Sequence, residues 1–166
     1  ERRALMCGIA GFVGAGTIDD IRAMTHAIAH RGPDGEGMYT GSCAGTHIGL
    51  AHRRLAITDP GDQHKQPLRY LDRYVVVHNG EIYNHADIRR TLERQGYRFY
   101  TQGDTELIAA AYAFEGPACL QGFDGMFAFA IWDEREGTLF CARDRFGEKP
   151  FFYHWDPNTR AFSFAS

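Results

Sequence analysis

The sequence predicts an α+β fold of stacked layers. Helical periodicity is confined to the middle of the chain, with strand-like runs towards both ends. Several of those runs are apolar on both faces, so both sides of a sheet must be covered. Size sets the scale: 166 residues with 44% hydrophobic and 13% aromatic content suffice for one domain with a full core.

In order, CGIAGFVG (7–14) is an apolar run with three glycines, which suits a buried strand whose backbone is closely approached. TIDDIRAMTHAIAHRG (17–32) then changes period. Ile18, Ile21, Met24 and Ile28 fall on one helical face, Thr17 with Asp20 forms an N-terminal cap, and Gly32-Pro33 ends the element. Strands are expected at 37–40 and 46–50. The β-branched run in YVVVHNGEIYN (74–84) stops at Asn79-Gly80, and Asn84 with Asp87 caps a second helix whose Ile88 and Leu92 face inward until Gly96. A third helix spans 104–115, with Leu107, Ile108, Ala111 and Tyr112 inward and Gly-Pro as its terminator. GMFAFAIWDEREGTLFCARD (125–144) reads as a hairpin, and KPFFYHW (149–155) and RAFSFAS (160–166) as further strands. Phe127, Phe129, Trp132, Phe151, Phe152 and Tyr153 are assigned to the core.

Composition excludes several classes of function. Net charge is −3 with the charges scattered, so neither nucleic acid nor an anionic membrane surface is an expected partner. The longest apolar stretch, MFAFAIW, is far too short for a bilayer span, and no apolar signal core follows Arg2-Arg3; a cytoplasmic location is expected. Cys7, Cys43, Cys119 and Cys141 form no C-x-x-C pair, which suits a reducing compartment, and the last three read as small inert side chains. The eight histidines lack ligand spacing, so no metal is expected, and there is no glycine-rich nucleotide loop.

Cys7 directly follows Met6, and a cysteine exposed as the first residue carries nucleophile and base together. Its α-amine has a reference pKa of about 7.7–8.0 and its thiol about 8.5, so the amine can accept the thiol proton near neutrality. The alternative is an ordinary buried strand cysteine. Asn79-Gly80 likewise reads either as a pair of oxyanion donors or as a tight hairpin turn.

Seven collinear phrases bear on these choices: MCGIAGF (6–12), HRGPDGEGMY (30–39), AHRRLAITD (51–59), HNGEIYN (78–84), GDTELI (103–108), GMFAFAIWD (125–133) and ARDRFGEKPFFY (142–153). Together they resemble the class II glutamine amidotransferase domain of glutamine-hydrolysing asparagine synthetases, over nearly the whole chain. The resemblance implies the four-layer αββα sandwich of N-terminal nucleophile hydrolases. It implies hydrolysis of L-glutamine to glutamate and ammonia through a thioester on Cys7, with an oxyanion hole from the Asn79 side chain and the Gly80 N–H. Arg54 corresponds to the arginine that binds the substrate α-carboxylate, Asp104 to the partner of its α-ammonium, and Glu81 to a substrate contact. Arg53 falls where the family varies. His30-Arg31 and Arg143-Asp144-Arg145 are expected as framework ion pairs or loop anchors near the pocket.

By the same resemblance the domain itself needs no cofactor, ATP and Mg being expected only in a following synthetase domain. That domain, the ammonia acceptor in cis or trans, is absent from these 166 residues, and a homodimer through the full-length protein is a further partner the family allows. Residues 1–6 are expected to be an extension, removed in maturation or derived from a vector. While they stay attached, the Cys7 nitrogen is an amide and cannot act as base. Three other readings stay open here: an amidotransferase of an amino-sugar or natural-product branch, a hydrolase of peptides or acylated amines, and a catalytically silent binding module.

Overall fold

The computed structural model describes residues 6–55 and 65–166. Residues 1–5 of the expected extension, and the AITD end of AHRRLAITD, lie outside the described residues.

In chain order the elements are β1 (Gly8–Gly14), α1 (Ile18–Ala27), β2 (Gly35–Cys43), β3 (Thr46–Arg54), β4 (Leu68–Tyr70), β5 (Tyr74–Ile82), α2 (His85–Arg94), α3 (Asp104–Glu115), β6 (Gly125–Asp133), β7 (Thr138–Arg143), β8 (Phe152–Asp156) and β9 (Ala161–Ala165). A 3₁₀ segment, Gly116–Gly122, follows α3. Two antiparallel sheets result, one ordered β2-β3-β1-β9-β8 and the other β4-β5-β6-β7.

Three apolar seams hold four layers together. α1 packs on the first sheet through Ala10, Phe12, Ile21, Ile28 and Ala51. Between the sheets lie Ile9, Ile48, Leu50, Val75, Val77 and Trp132. The outer face of the second sheet meets α2 and α3 through Val76, Ile82, Leu92, Leu107, Ile108 and Phe129. This is the αββα order, and strand alternation explains it: Val75 and Val77 face one seam and Val76 the other. β1 needs its glycines because a Cβ on Gly11 would stand 2.6 Å from the Phe164 ring and 2.7 Å from the Gly49 carbonyl oxygen.

The Thr17–Asp20 capping box forms as the spacing predicts, but α1 ends at Ala27 rather than at Gly32, and Ile18 is half exposed at the first turn. Asn84 occupies the N-cap of α2 without capping it. Its side chain instead joins the Gly122 carbonyl and the Asp124 N–H, tying α2 to the start of β6. Phe152 and Tyr153 are 70% and 71% exposed rather than core. β8 is an edge strand, and the two adjacent residues face opposite sides of its sheet, where the apolar cover ends. Leu68–Tyr70 is a short edge strand with too few residues to show alternation.

Candidate active site

Strand alternation delivers the site. Ile9 points into the seam between the sheets, and Cys7, just before β1, lines the cleft at its end; Ile48 and Leu50 share their face of β3 with His52 and Arg54. Asn79 shares the inter-sheet face of β5 with Val75 and Val77. At this end of the sandwich the seam opens into a cleft of about 650 Å³. Cys7, Arg54, Asn79, Gly80, Glu81 and Asp104 all line it.

The same alternation separates two adjacent arginines. Arg53 points the other way, its Nε donating to the Gly32 carbonyl at 3.1 Å and its Nη1 pairing with Glu36, while Arg54 faces the cleft. Cys7 is fixed from two directions. Its Sγ accepts the Leu55 N–H at 3.4 Å, and its carbonyl accepts from the Arg31 Nε at 3.3 Å.

Asn79-Gly80 is no hairpin turn. Both residues lie inside β5 and pair with Ala128 and Phe127 of β6. Gly80 has φ +138°, and a Cβ there would stand 2.0 Å from the Met126 carbonyl oxygen, so the site requires glycine on conformation and space alike. The Asn79 Nδ2 is buried with no hydrogen-bond partner among the described residues, as are His52 Nε2, His78 Nε2 and Arg31 Nη2. A buried amide donor left open beside a thiol is arranged for an acceptor that arrives with a ligand.

Asp104 opens α3 at its first position, where a carboxylate favours the helix dipole. Its Oδ2 accepts the Ile82 N–H from β5 at 2.9 Å, so it links helix to strand rather than capping its own helix. Burial raises its carboxyl above the ordinary aspartate value, against the lowering effect of the Ile82 N–H. Glu81 adds to the rise, whereas His85 and Arg89 oppose it.

Three side chains that sequence reasoning left aside also line the cleft: His52, His78 and Lys149. Burial, aided by Arg54, lowers His52 to about 4; burial, aided by His52 and Lys149, lowers His78 to about 3, so both are neutral near pH 7. Both lie within motifs quoted above, but neither has a partner at short sequence spacing, which is why no local signal marks them. Arg143, Asp144 and Arg145 act as loop anchors rather than ion pairs: Asp144 accepts backbone N–H groups of Phe127, Phe146, Glu148 and Lys149, Arg143 Nε donates to the Lys149 carbonyl, and Arg145 Nη1 to that of Phe123. Among the described residues no group of three His, Cys, Asp or Glu could hold a metal ion, and no helix is long and apolar enough to cross a membrane.

Comparison with known proteins places this geometry. A family model described as "Glutamine amidotransferase domain" matches residues 6–166. A Methanocaldococcus jannaschii protein named as a glutamine-hydrolysing asparagine synthetase is 40% identical over 95% of this chain, which covers 34% of that protein. Glutamine-hydrolysing asparagine synthetase 1 of Bacillus subtilis is 40% identical over 89% of the chain, which covers 24% of it. This sequence thus spans about a third of the first relative's length and a quarter of the second's. Among solved structures, glutamine phosphoribosylpyrophosphate amidotransferase from B. subtilis superposes with a TM-score of 0.74 at 24% identity, covering 96% of this chain and 41% of that one. Fold, cleft and sequence agree, and the chain belongs to the glutamine amidotransferase domain family.

Proposed function

We propose that this domain hydrolyses L-glutamine to glutamate and ammonia, with Cys7 as nucleophile and its own α-amine as base. The observation that carries the reading is the convergence on one cleft of a thiol, an amide donor unpartnered among the described residues, an arginine and a partly buried carboxylate. Arg54 takes the substrate α-carboxylate and Asp104 its α-ammonium, with Glu81 beside it. These charges orient the γ-carboxamide towards Cys7. The Sγ attacks the amide carbon while its proton passes to the Cys7 nitrogen, and the oxyanion is received by Asn79 Nδ2 and the Gly80 N–H. The amine returns the proton to the leaving nitrogen, ammonia departs, and water hydrolyses the thioester to glutamate and free thiol.

This chemistry requires Cys7 as the first residue, because Met6 otherwise holds its nitrogen as an amide. The ammonia is consumed by an ATP- and Mg-dependent synthetase domain in cis or trans, with asparagine as the product suggested by the named relatives. No cofactor enters the glutaminase step, and the cytoplasm is the setting that matches a free thiol nucleophile.

The test is intact mass combined with a glutamate-release assay and an electrophilic glutamine analogue. A mass beginning at Cys7, one adduct and released glutamate are expected. Release from N-acylated amines or peptides in place of glutamine would overturn the substrate, and a chain beginning at Cys7 with neither adduct nor product would overturn the enzyme.

A further inference from the structure

Lys149 is only 8% exposed, a burial that lysine tolerates when its charge is paired. Here no carboxylate among the described residues comes within ion-pairing distance. The contact of its Nζ is the Met6 sulfur at 3.3 Å, a weak acceptor. The residue is not loosely placed. Its N–H donates to the Asp144 carboxylate at 3.0 Å and its carbonyl accepts from Arg143 Nε at 2.7 Å. Asp144 is held in turn by the N–H groups of Phe146 and Glu148 at 3.1 and 2.9 Å. A braced loop therefore delivers into the cleft that contains Cys7 a cation with no carboxylate partner among the described residues.

The Met6 sulfur is five bonds from the Cys7 nitrogen, which covalent geometry limits to about 6 Å, so the Lys149 charge lies within about 9 Å of that nitrogen. We propose that Lys149 is a positioning residue for the nucleophile's base: its ammonium disfavours a second positive charge on the Cys7 amine and keeps that nitrogen in the neutral form that accepts the thiol proton. The inference rests on the reading of Cys7 as nucleophile and of its amine as base.

The surroundings point the same way. From the turn after α1, Arg31 donates to the Cys7 carbonyl, and from β3, Arg54 lines the cleft beside neutral His52. From β5 comes neutral His78, whose resistance to protonation Lys149 reinforces behind the larger effect of burial. The carboxylates of the cleft, Glu81 and Asp104, lie on β5 and α3, where Glu81 adds to the rise of Asp104. Among the described residues the groups named around Cys7 are therefore cationic or neutral, and the charges of Lys149, Arg31 and Arg54 oppose protonation of its amine.

The test uses protein whose first residue is Cys7, carrying ¹³C at cysteine Cα, with the Cys7 signal assigned by its loss in Cys7→Ala. The amine titration is followed by NMR, and the acid limb of glutamine hydrolysis is measured in parallel. For unit charges about 8 Å apart at effective dielectric constants of 80 to 20, Lys149→Met should raise the amine midpoint by roughly 0.4–1.5 pH units. The acid limb should move up equally, and Lys149→Arg should leave both near the parent values. Lys149→Gln serves as the second neutral variant if the methionine variant does not fold. An unmoved midpoint in a folded neutral variant overturns the inference, even if the parent hydrolyses glutamine. A moved midpoint without glutamate release sinks the glutaminase reading instead and leaves the effect of Lys149 on this nitrogen standing.

Discussion

Cys7 and Asp104 separate catalysis from stability in opposite ways. The Cys7 Sγ hydrogen-bonds only the Leu55 backbone, accepting from its N–H and donating to its carbonyl, and its side chain takes no part in the three seams, so Cys7→Ala should abolish glutamate release while leaving the thermal midpoint within a few degrees of the parent. Activity surviving in that variant would remove the thiol from the mechanism. Asp104 carries a charge that burial penalises, and its amide counterpart could still accept the Ile82 N–H. Asp104→Asn is therefore expected to raise KM for glutamine on the order of 10- to 100-fold with a smaller change in kcat, and to raise the thermal midpoint at neutral pH. Because the Asp104 carboxyl is shifted upward, it takes up its proton above the ordinary aspartate range as pH falls. KM should rise through that window while the unliganded fold gains stability from Asp104 becoming neutral. Steady-state kinetics across pH 4–7, and calorimetry of the parent against Asp104→Asn so that effects common to both cancel, check both signs.

At the scale of elements, the segment after β7 is organised by one side chain. Burial would raise the Asp144 carboxyl, but N–H groups of Lys149, Glu148, Phe127 and Phe146 outweigh that and hold it below the ordinary aspartate value. Asp144→Ala leaves those four donors without their acceptor and should cost about 3 kcal/mol in urea unfolding, with loss of activity because Lys149 and β6 both lean on it. A loss under about 1 kcal/mol would mean that water replaces the carboxylate. Gly80→Ala should be at least as damaging, since strained φ and a clash with Met126 fall on the central β5–β6 pairing. These elements also show what sequence makes visible. YVVVHNGEIYN and GMFAFAIWD were legible as strands because β-branched and aromatic runs outnumber every other signal in them. Asn79-Gly80 was ambiguous because the strongest short turn motif sits inside a strand, and only the resemblance argued against the turn. Asn84 was not legible as a tether, because its partners lie about 40 residues away in Gly122–Asp124, and the tie of Asp144 to β6 runs to Phe127, 17 residues away.

For the whole molecule, layers followed from apolar runs on both strand faces, but their number did not, since periodicity marks a covered face without naming its cover. Phe152 and Tyr153 show the limit: they read as aromatic strand residues like Phe127 and Phe129, but on the edge strand β8 they face opposite sides of the sheet and both stand in solvent. The seam between the sheets carries a further global property. His52 and His78 are neutral in the fold, whereas in the unfolded chain they titrate near pH 6.5. Their lowered values add stability that is complete above about pH 6.5 and is lost as pH falls towards 4, at roughly 1.4 kcal/mol per pH unit for each histidine. Urea midpoints measured from pH 7 to 4.5 should decline along that slope, and the His52→Gln/His78→Gln double variant should flatten it; a parent curve already flat would show that the imidazoles are hydrated in the fold.

β1, the strand that leads from Cys7, is flanked by β3 and β9, and the Ser166 N–H closes on the Ile9 carbonyl while the Ser166 Oγ accepts the Ile9 N–H. On the ribosome this strand emerges well before it can be enclosed, because its second neighbour is made more than 140 residues after it. Nascent chains stalled before Ala161 should carry an accessible Cys7 and an incomplete first sheet, and should hydrolyse no glutamine. Synthesis itself then delays the release of ammonia until the strand beside Cys7 has been locked in place.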